Sequence, residues 1–162
     1  MADYLRKYKF KISWPTVGNT GTVTTVAGCT RVSGIGRSQD VIEHRAGDDP
    51  GAIVTKIPGL VKYSSITLEK GMSANQDFIK WCQDMVDTTA ESLLKKDIQV
   101  DVLDKTGAIS KTYSVKNAWP SSVQIDDLDS NSSGLMFERL TLEFESFTIY
   151  PGAGSAGDIK SL

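Results

Sequence analysis

Histidine occurs once in this chain and cysteine twice, and that scarcity removes most common site chemistry. Cys29 and Cys82 have no metal-ligand spacing, whereas a zinc centre needs several Cys, His or carboxylate ligands brought together. A Cys29–His44 nucleophile pair or a Ser–His–Asp arrangement would have to run through His44, which stands in a polar, glycine-bounded stretch. Inert, buried cysteine is the commoner reading, and an enzyme is not expected. No apolar run approaches the ~18 residues of a membrane span, and the opening MADYLRKYKFKISW carries no apolar signal core. The chain is therefore expected to be made in the cytosol and not to insert in a membrane. Nor is basic charge in excess. A formal net charge of −2 argues against nucleic-acid binding driven by a basic surface.

What the chain does have is a period of two. Its 162 residues, 40% hydrophobic and 23% charged, suit one soluble domain with a sizeable core. Tyr8, Phe10, Ile12 and Trp14 alternate with polar residues, as a half-buried strand does. So do Ile66 and Leu68, then Ile98, Val100 and Val102, then Ile109, Tyr113 and Val115, and finally Leu140, Leu142 and Phe144. DKTG at 104–107 reads as a hairpin turn.

One segment has a helical period. Phe78, Trp81, Cys82, Met85 and Thr89 share a face, and Ser73 with Gln76 forms a capping box ahead of them. This predicts a single amphipathic helix covering a sheet. Residues 15–24 read as a loop or hairpin tip. Residues 37–58, RSQDVIEHRAGDDPGAIVTKIP, read as an irregular arm, longer than a compact domain usually tolerates without a function. The domain is expected to span 1–150, with 151–162 a flexible tail.

Three stretches look like sites. In Asp127–Glu138, Asp127, Asp129, Asn131 and Glu138 occupy positions 1, 3, 5 and 12 of an EF-hand loop. Ser132 stands where that loop needs glycine, and both flanks alternate like strands, so a turn between strands is expected and no metal. SGIGRS at 33–38 lacks the third glycine and the helix of a dinucleotide site. It reads as a bend in a strand, and no cofactor is expected. Glu143 and Glu145, two apart beside Thr141, read as one wetted strand face rather than an acid–base pair. What remains is a set of amphipathic strands whose edges invite pairing with another chain.

The order of VSGIGRSQDVIEHRAG, KIPGLVKYSSITLEKG, NQDFIKW, NAWPSSVQIDDLDSNSS and FERLTLEFESF, from about residue 4 to 149, resembles the tail tube protein family of contractile phages and related injection systems. The resemblance implies a mainly β protein with one α-helix, an antiparallel β-sandwich or barrel of the tail-tube type. It implies hexameric rings that stack into a hollow inner tube for DNA or protein cargo. The implied partners are further copies of the chain, a sheath protein, and baseplate or hub and terminator proteins. On that footing Thr67, Glu69, Thr141, Glu143 and Glu145 are expected to line the bore as an acidic wall. Val41, Ile42, Ile53, Val54 and Ile57 in the arm are expected to make contacts between subunits or rings. A ring protein of the type VI secretion kind and a stand-alone β-sandwich binding module are the alternatives.

Overall fold

The structure is a computed structural model, and it describes residues 5, 7–15, 23–26, 29–48, 50–51, 53–72, 76–87 and 95–152. The alternating stretches form strands β1 (Phe10–Pro15), β2 (Val23–Val26), β3 (Cys29–Ser33), β6 (Ile66–Gly71), β7 (Lys96–Leu103), β8 (Ile109–Ile125), β9 (Phe137–Glu143) and β10 (Ser146–Pro151). They make one 8-stranded antiparallel sheet in the order β2-β1-β7-β8-β9-β6-β3, with β10 also on β8. The capping residue Ser73, the helical-face residue Thr89 and most of the 15–24 loop and C-terminal tail lie outside the described residues.

The sheet folds over on itself, and β8 is the reason. Its first part pairs with β7 and β10, while its second part pairs with β9. At the changeover Asn117 adopts φ 52°, a left-handed conformation that asparagine tolerates better than most residues. β9 and β10 run along β8 in succession, broken at Phe144 and Glu145. The Glu145 N–H donates to the Lys116 carbonyl at 3.2 Å. One hairpin is thus shared by both halves and turns a corner midway.

The two halves face each other across a core of Ile12, Trp14, Ile66, Leu68, Leu140 and Leu142, among others. The helix α1 (Asp77–Asp87) caps it. Phe78 and Trp81 are fully buried, and their rings lie 6.0 and 5.3 Å from that of Trp14. Cys82 and Met85 are half-buried at the helix margin. The Lys96 ammonium sits 4.9 Å from the Trp81 ring centre, within cation–π range.

The stretch read as irregular is not a loop. It is a two-stranded ribbon, β4 (Arg37–His44) against β5 (Thr55–Tyr63), forming a sheet of its own. A register shift near Asp40 accommodates Gly59, where a Cβ would stand 2.9 Å from the Asp40 carbonyl oxygen. Two features fix the ribbon's base, one closing its two legs together and one packing it on the body. The Ser64 N–H donates to the Gly36 carbonyl at 3.1 Å, and Tyr63 packs 5.5 and 5.8 Å from Phe144 and Phe147.

SGIGRS is the bend by which the chain leaves β3 for the ribbon. Gly34 has φ +88°, and a Cβ there would run into the Ser65 carbonyl; both facts require glycine. Gly34→Ala is expected to lower unfolding free energy by at least about 2 kcal/mol in urea denaturation. Gly47→Ala, where nothing stands within 4 Å, should change it by less than about 0.5 kcal/mol.

Candidate functional site

Strands β3, β6, β9 and β8 present one continuous polar face, because alternation sends every second side chain away from the core. In register across it stand Ser33, Thr67, Thr141 and Ser122, a row of hydroxyls. The neighbouring row is Arg31, Glu69, Arg139 and Gln124. Arg139 donates from Nε to Glu69 Oε2 at 3.1 Å and from Nη1 to Asp126 Oδ1 at 2.8 Å. Exposed pairs of this kind contribute little stability, yet they fix where charge lies. Thr67, Glu69, Thr141 and Glu143 therefore do share a face.

That face is not an acidic wall. Glu69 stands between two arginines in the register, so its charge is offset locally. Arg139 was missed although the signal was available, since it is two residues before Thr141 on the same strand; Arg31 had no such signal, because only register brings it beside Glu69.

Glu145 does not belong with Glu143. β9 ends at Glu143, and Glu145 occupies the corner instead. Its carboxylate accepts from Lys95 Nζ at 2.8 Å and from Asn117 Nδ2 at 2.6 Å. Asn117 N–H in turn donates to Asp97 Oδ1 at 3.1 Å, and Lys116 pairs with Asp97 at 2.9 Å. The Lys95 hydrogen bond first, then that of Asn117, holds the Glu145 carboxyl below the ordinary glutamate range. A lowered carboxyl stays charged through its unfolded pKa. The tie's contribution is whole above that value and fades only as pH falls through the lowered one.

The ribbon is the second surface. Ile53 and Leu60 are 71% and 74% exposed, and Val41, Ile42, Val54, Ile57 and Val61 are exposed as well. Ile42 faces Ile57 across the strands, and Val41 faces Pro58 on the neighbouring register position. Adjacent positions on a strand point to opposite sides, so both faces of the ribbon carry apolar groups.

The remaining stretches are structural. Cys29 begins β3, opposite Lys70, while His44 ends β4 at the far end of the ribbon. Burial pushes the Cys29 thiol up to about 11, more than the Lys70 charge can offset. In the 126–136 connection, Asp129 turns onto its own backbone, its Oδ1 accepting from Asn131 N–H at 2.9 Å. The flanking elements are β8 and β9, and Glu138 is buried on β9 opposite Lys70 rather than turned to the loop. The 104–107 turn is built the same way. Asp104 Oδ1 accepts from Thr106 Oγ1 and from the Thr106 and Ala108 N–H groups, and Gly107 takes φ 90°.

A folded-over antiparallel sheet with one helix and a projecting ribbon is a fold of the tail-tube type. A component of the anti-feeding prophage baseplate, solved with 6-fold symmetrisation, superposes with a TM-score of 0.78 at 19% identity, covering 93% of this chain and 98% of that one. A chain of the anti-feeding prophage tube-terminating cap superposes at 0.76 with 25% identity, 94% of each chain being covered. A chain of the PVC sheath–tube complex of an extracellular contractile injection system gives 0.74 at 24% identity, covering 91% and 92%. No curated protein matches the sequence. Residues 6–148 match the family described as T4-like virus tail tube protein gp19. The chain belongs to that family, and it is a structural tube component of contractile particles.

In a carboxyl NMR titration, Glu145 is expected to titrate below the ordinary glutamate range of about 4.3. Asn117→Ala should move it back up toward that range.

Proposed function

We propose that six copies of this chain close into a ring and that rings stack into the inner tube of a contractile tail or injection particle, a conduit for DNA or protein cargo. The observation that carries this reading is the exposed ribbon. A two-stranded ribbon is marginal in water, and one with apolar groups on both faces is completed only by another surface. The sixfold symmetry of the anti-feeding prophage baseplate supports the ring number.

Ring closure has a physical route. Among the described residues, β3 has a strand on one side only, and so does the end of β8 at 121–125. Pairing β3 of one copy with that part of β8 in the next closes both of these edges into a continuous ring of strands. Four strands per copy then give twenty-four in all. At ~4.8 Å spacing and ~45° tilt they enclose a backbone diameter of roughly 50 Å. Side chains of about 5 Å on each wall leave a bore of ~40 Å, wide enough for duplex DNA or a small folded protein. The row of hydroxyls and the compensated row of Arg31, Glu69 and Arg139 would line it, with Thr67, Thr141 and Glu143, presenting little net charge to a cargo. The Glu145 carboxylate is committed to the corner and is left out of this lining. A sheath outside the tube, a baseplate or hub at one end and a terminator at the other would be the partners, with synthesis in the cytoplasm before assembly.

Size-exclusion chromatography followed by negative-stain imaging tests the reading. Long hollow tubes are expected. Isolated rings that never stack would favour a ring protein of the type VI kind, and monomers at every concentration would favour a stand-alone binding module. Deleting residues 46–52 at the ribbon's end should abolish tubes while circular dichroism of the monomer is unchanged; tubes of wild-type length would remove the ribbon from assembly. Thr141→Lys with Glu143→Lys should leave tube length intact and slow DNA passage through charge attraction. Unassembled protein from that variant would place the polar face in an interface instead.

A further inference from the structure

The 126–136 connection is a knob whose two leucines are left uncovered among the described residues. Leu128 and Leu135 are 82% and 83% exposed. Asp127 and Asp129 flank Leu128, with no lysine or arginine between 126 and 136, while Asp126 is already paired with Arg139. An exposed pair of leucines in an acidic setting calls for a partner that is apolar at its centre and basic at its rim.

The molecule carries such a socket elsewhere. A cavity of about 500 Å³ opens between the two halves of the sheet. Phe10, Val32, Ile35, Val100, Val102 and Tyr113 supply its apolar lining. Lys7, Lys9 and Lys111 also line it, and no carboxylate does. Lys9 is steadied by donating to the Lys105 carbonyl at 3.0 Å.

Knob and socket stand at opposite ends of the same strands. The knob follows the last residue of β8, whereas Lys111 and Tyr113 are near its first. Likewise Val32 and Ile35 lie at the end of β3 away from Cys29, which is level with Lys70, Glu138 and Ile125 beside the knob. β8 turns its corner at Asn117 between the two, so β3 is the strand that runs directly from one end to the other. Two different patches that complement each other make a head-to-tail contact, which repeats rather than closing as a dimer. In a barrel the strands run obliquely from one rim to the other, so the two ends of β3, one beside the socket and one level with the knob, belong to the two rims of a ring.

We propose that the 126–136 connection of each copy docks, Leu128 foremost, into the lysine-rimmed cavity of a copy in the next ring, so that this contact stacks the rings. The occupant is thus a second copy of this chain, and the assignment rests on the tube reading above. The apolar centre supplies contact area, and the aspartate–lysine rim sets the direction of stacking.

Disulfide trapping tests it, because a bridge within one chain adds no mass, whereas bridges between copies in successive rings build a covalent ladder. A chain carrying both Leu128→Cys and Lys111→Cys should give a covalent ladder under mild oxidation, where wild type and each single variant give none. Imaged tubes without a ladder would overturn the docking and leave the tube reading standing. A wild-type protein that never forms tubes would overturn both. In an independent arm, Lys111→Glu and Asp127→Lys should each yield rings that fail to stack, and the two combined in one chain should restore tubes. Single variants with full-length tubes would overturn the docking.

Discussion

A β-ribbon exposes backbone hydrogen-bonding groups along both edges and side chains on both faces, and a lone ribbon has nothing to spend them on. Among the described residues β4 and β5 pair only with each other; they carry Val41, Ile42, Ile57 and Leu60 into solvent, and Ile53 and Val54 just ahead of β5 are exposed as well. An exposed apolar side chain of this size forgoes about 1.5–3 kcal/mol of burial, so several together set a strong drive toward association. The rest of the molecule reads as the means of holding this surface, and two open sheet edges, in fixed relation to one another. Association then does what a larger core would do in a self-sufficient domain.

That fixed relation depends on two local devices. The first is the ribbon's base. Gly34 permits the bend, Gly36 accepts the Ser64 N–H, and Tyr63 wedges against Phe144 and Phe147. The second is the corner of the long hairpin, where the carboxylates of Asp97 and Glu145 hold Asn117, Lys116 and Lys95. Phe144 belongs to both, since it sits between Glu143 and Glu145 and packs on Tyr63. Bending the sheet and aiming the ribbon are consequently coupled through two adjacent residues, Phe144 and Glu145.

Much of the body was legible in the sequence because its strands bury one face only. Ile98–Val100–Val102 and Leu140–Leu142 alternate cleanly, and Phe78 and Trp81 mark the helix by their spacing. The ribbon was read as irregular for a physical reason. Val41 beside Ile42 breaks alternation because both faces of the ribbon carry apolar groups, and the adjacent Ile53 and Val54 lie ahead of β5. Glu145 was placed with Glu143 because Leu142 and Phe144 continue the rhythm past the strand's end. Only the positive φ of Asn117 and the switch of partner along β8 reveal the corner, and neither has a one-dimensional signature. The acidic reading of the polar face failed similarly: Arg31 lies far away in sequence, and register alone brings it beside Glu69.

Hydrogen exchange of the ribbon's amides tests most directly whether other copies complete this surface. Outward-facing amides of β4 and β5 in dispersed protein should exchange rapidly, since one side of each strand has no partner. In sedimented tubes the same amides should become strongly protected, while those of β7 in the core change little. Ribbon amides that exchange at the same rate in both samples would contradict the account.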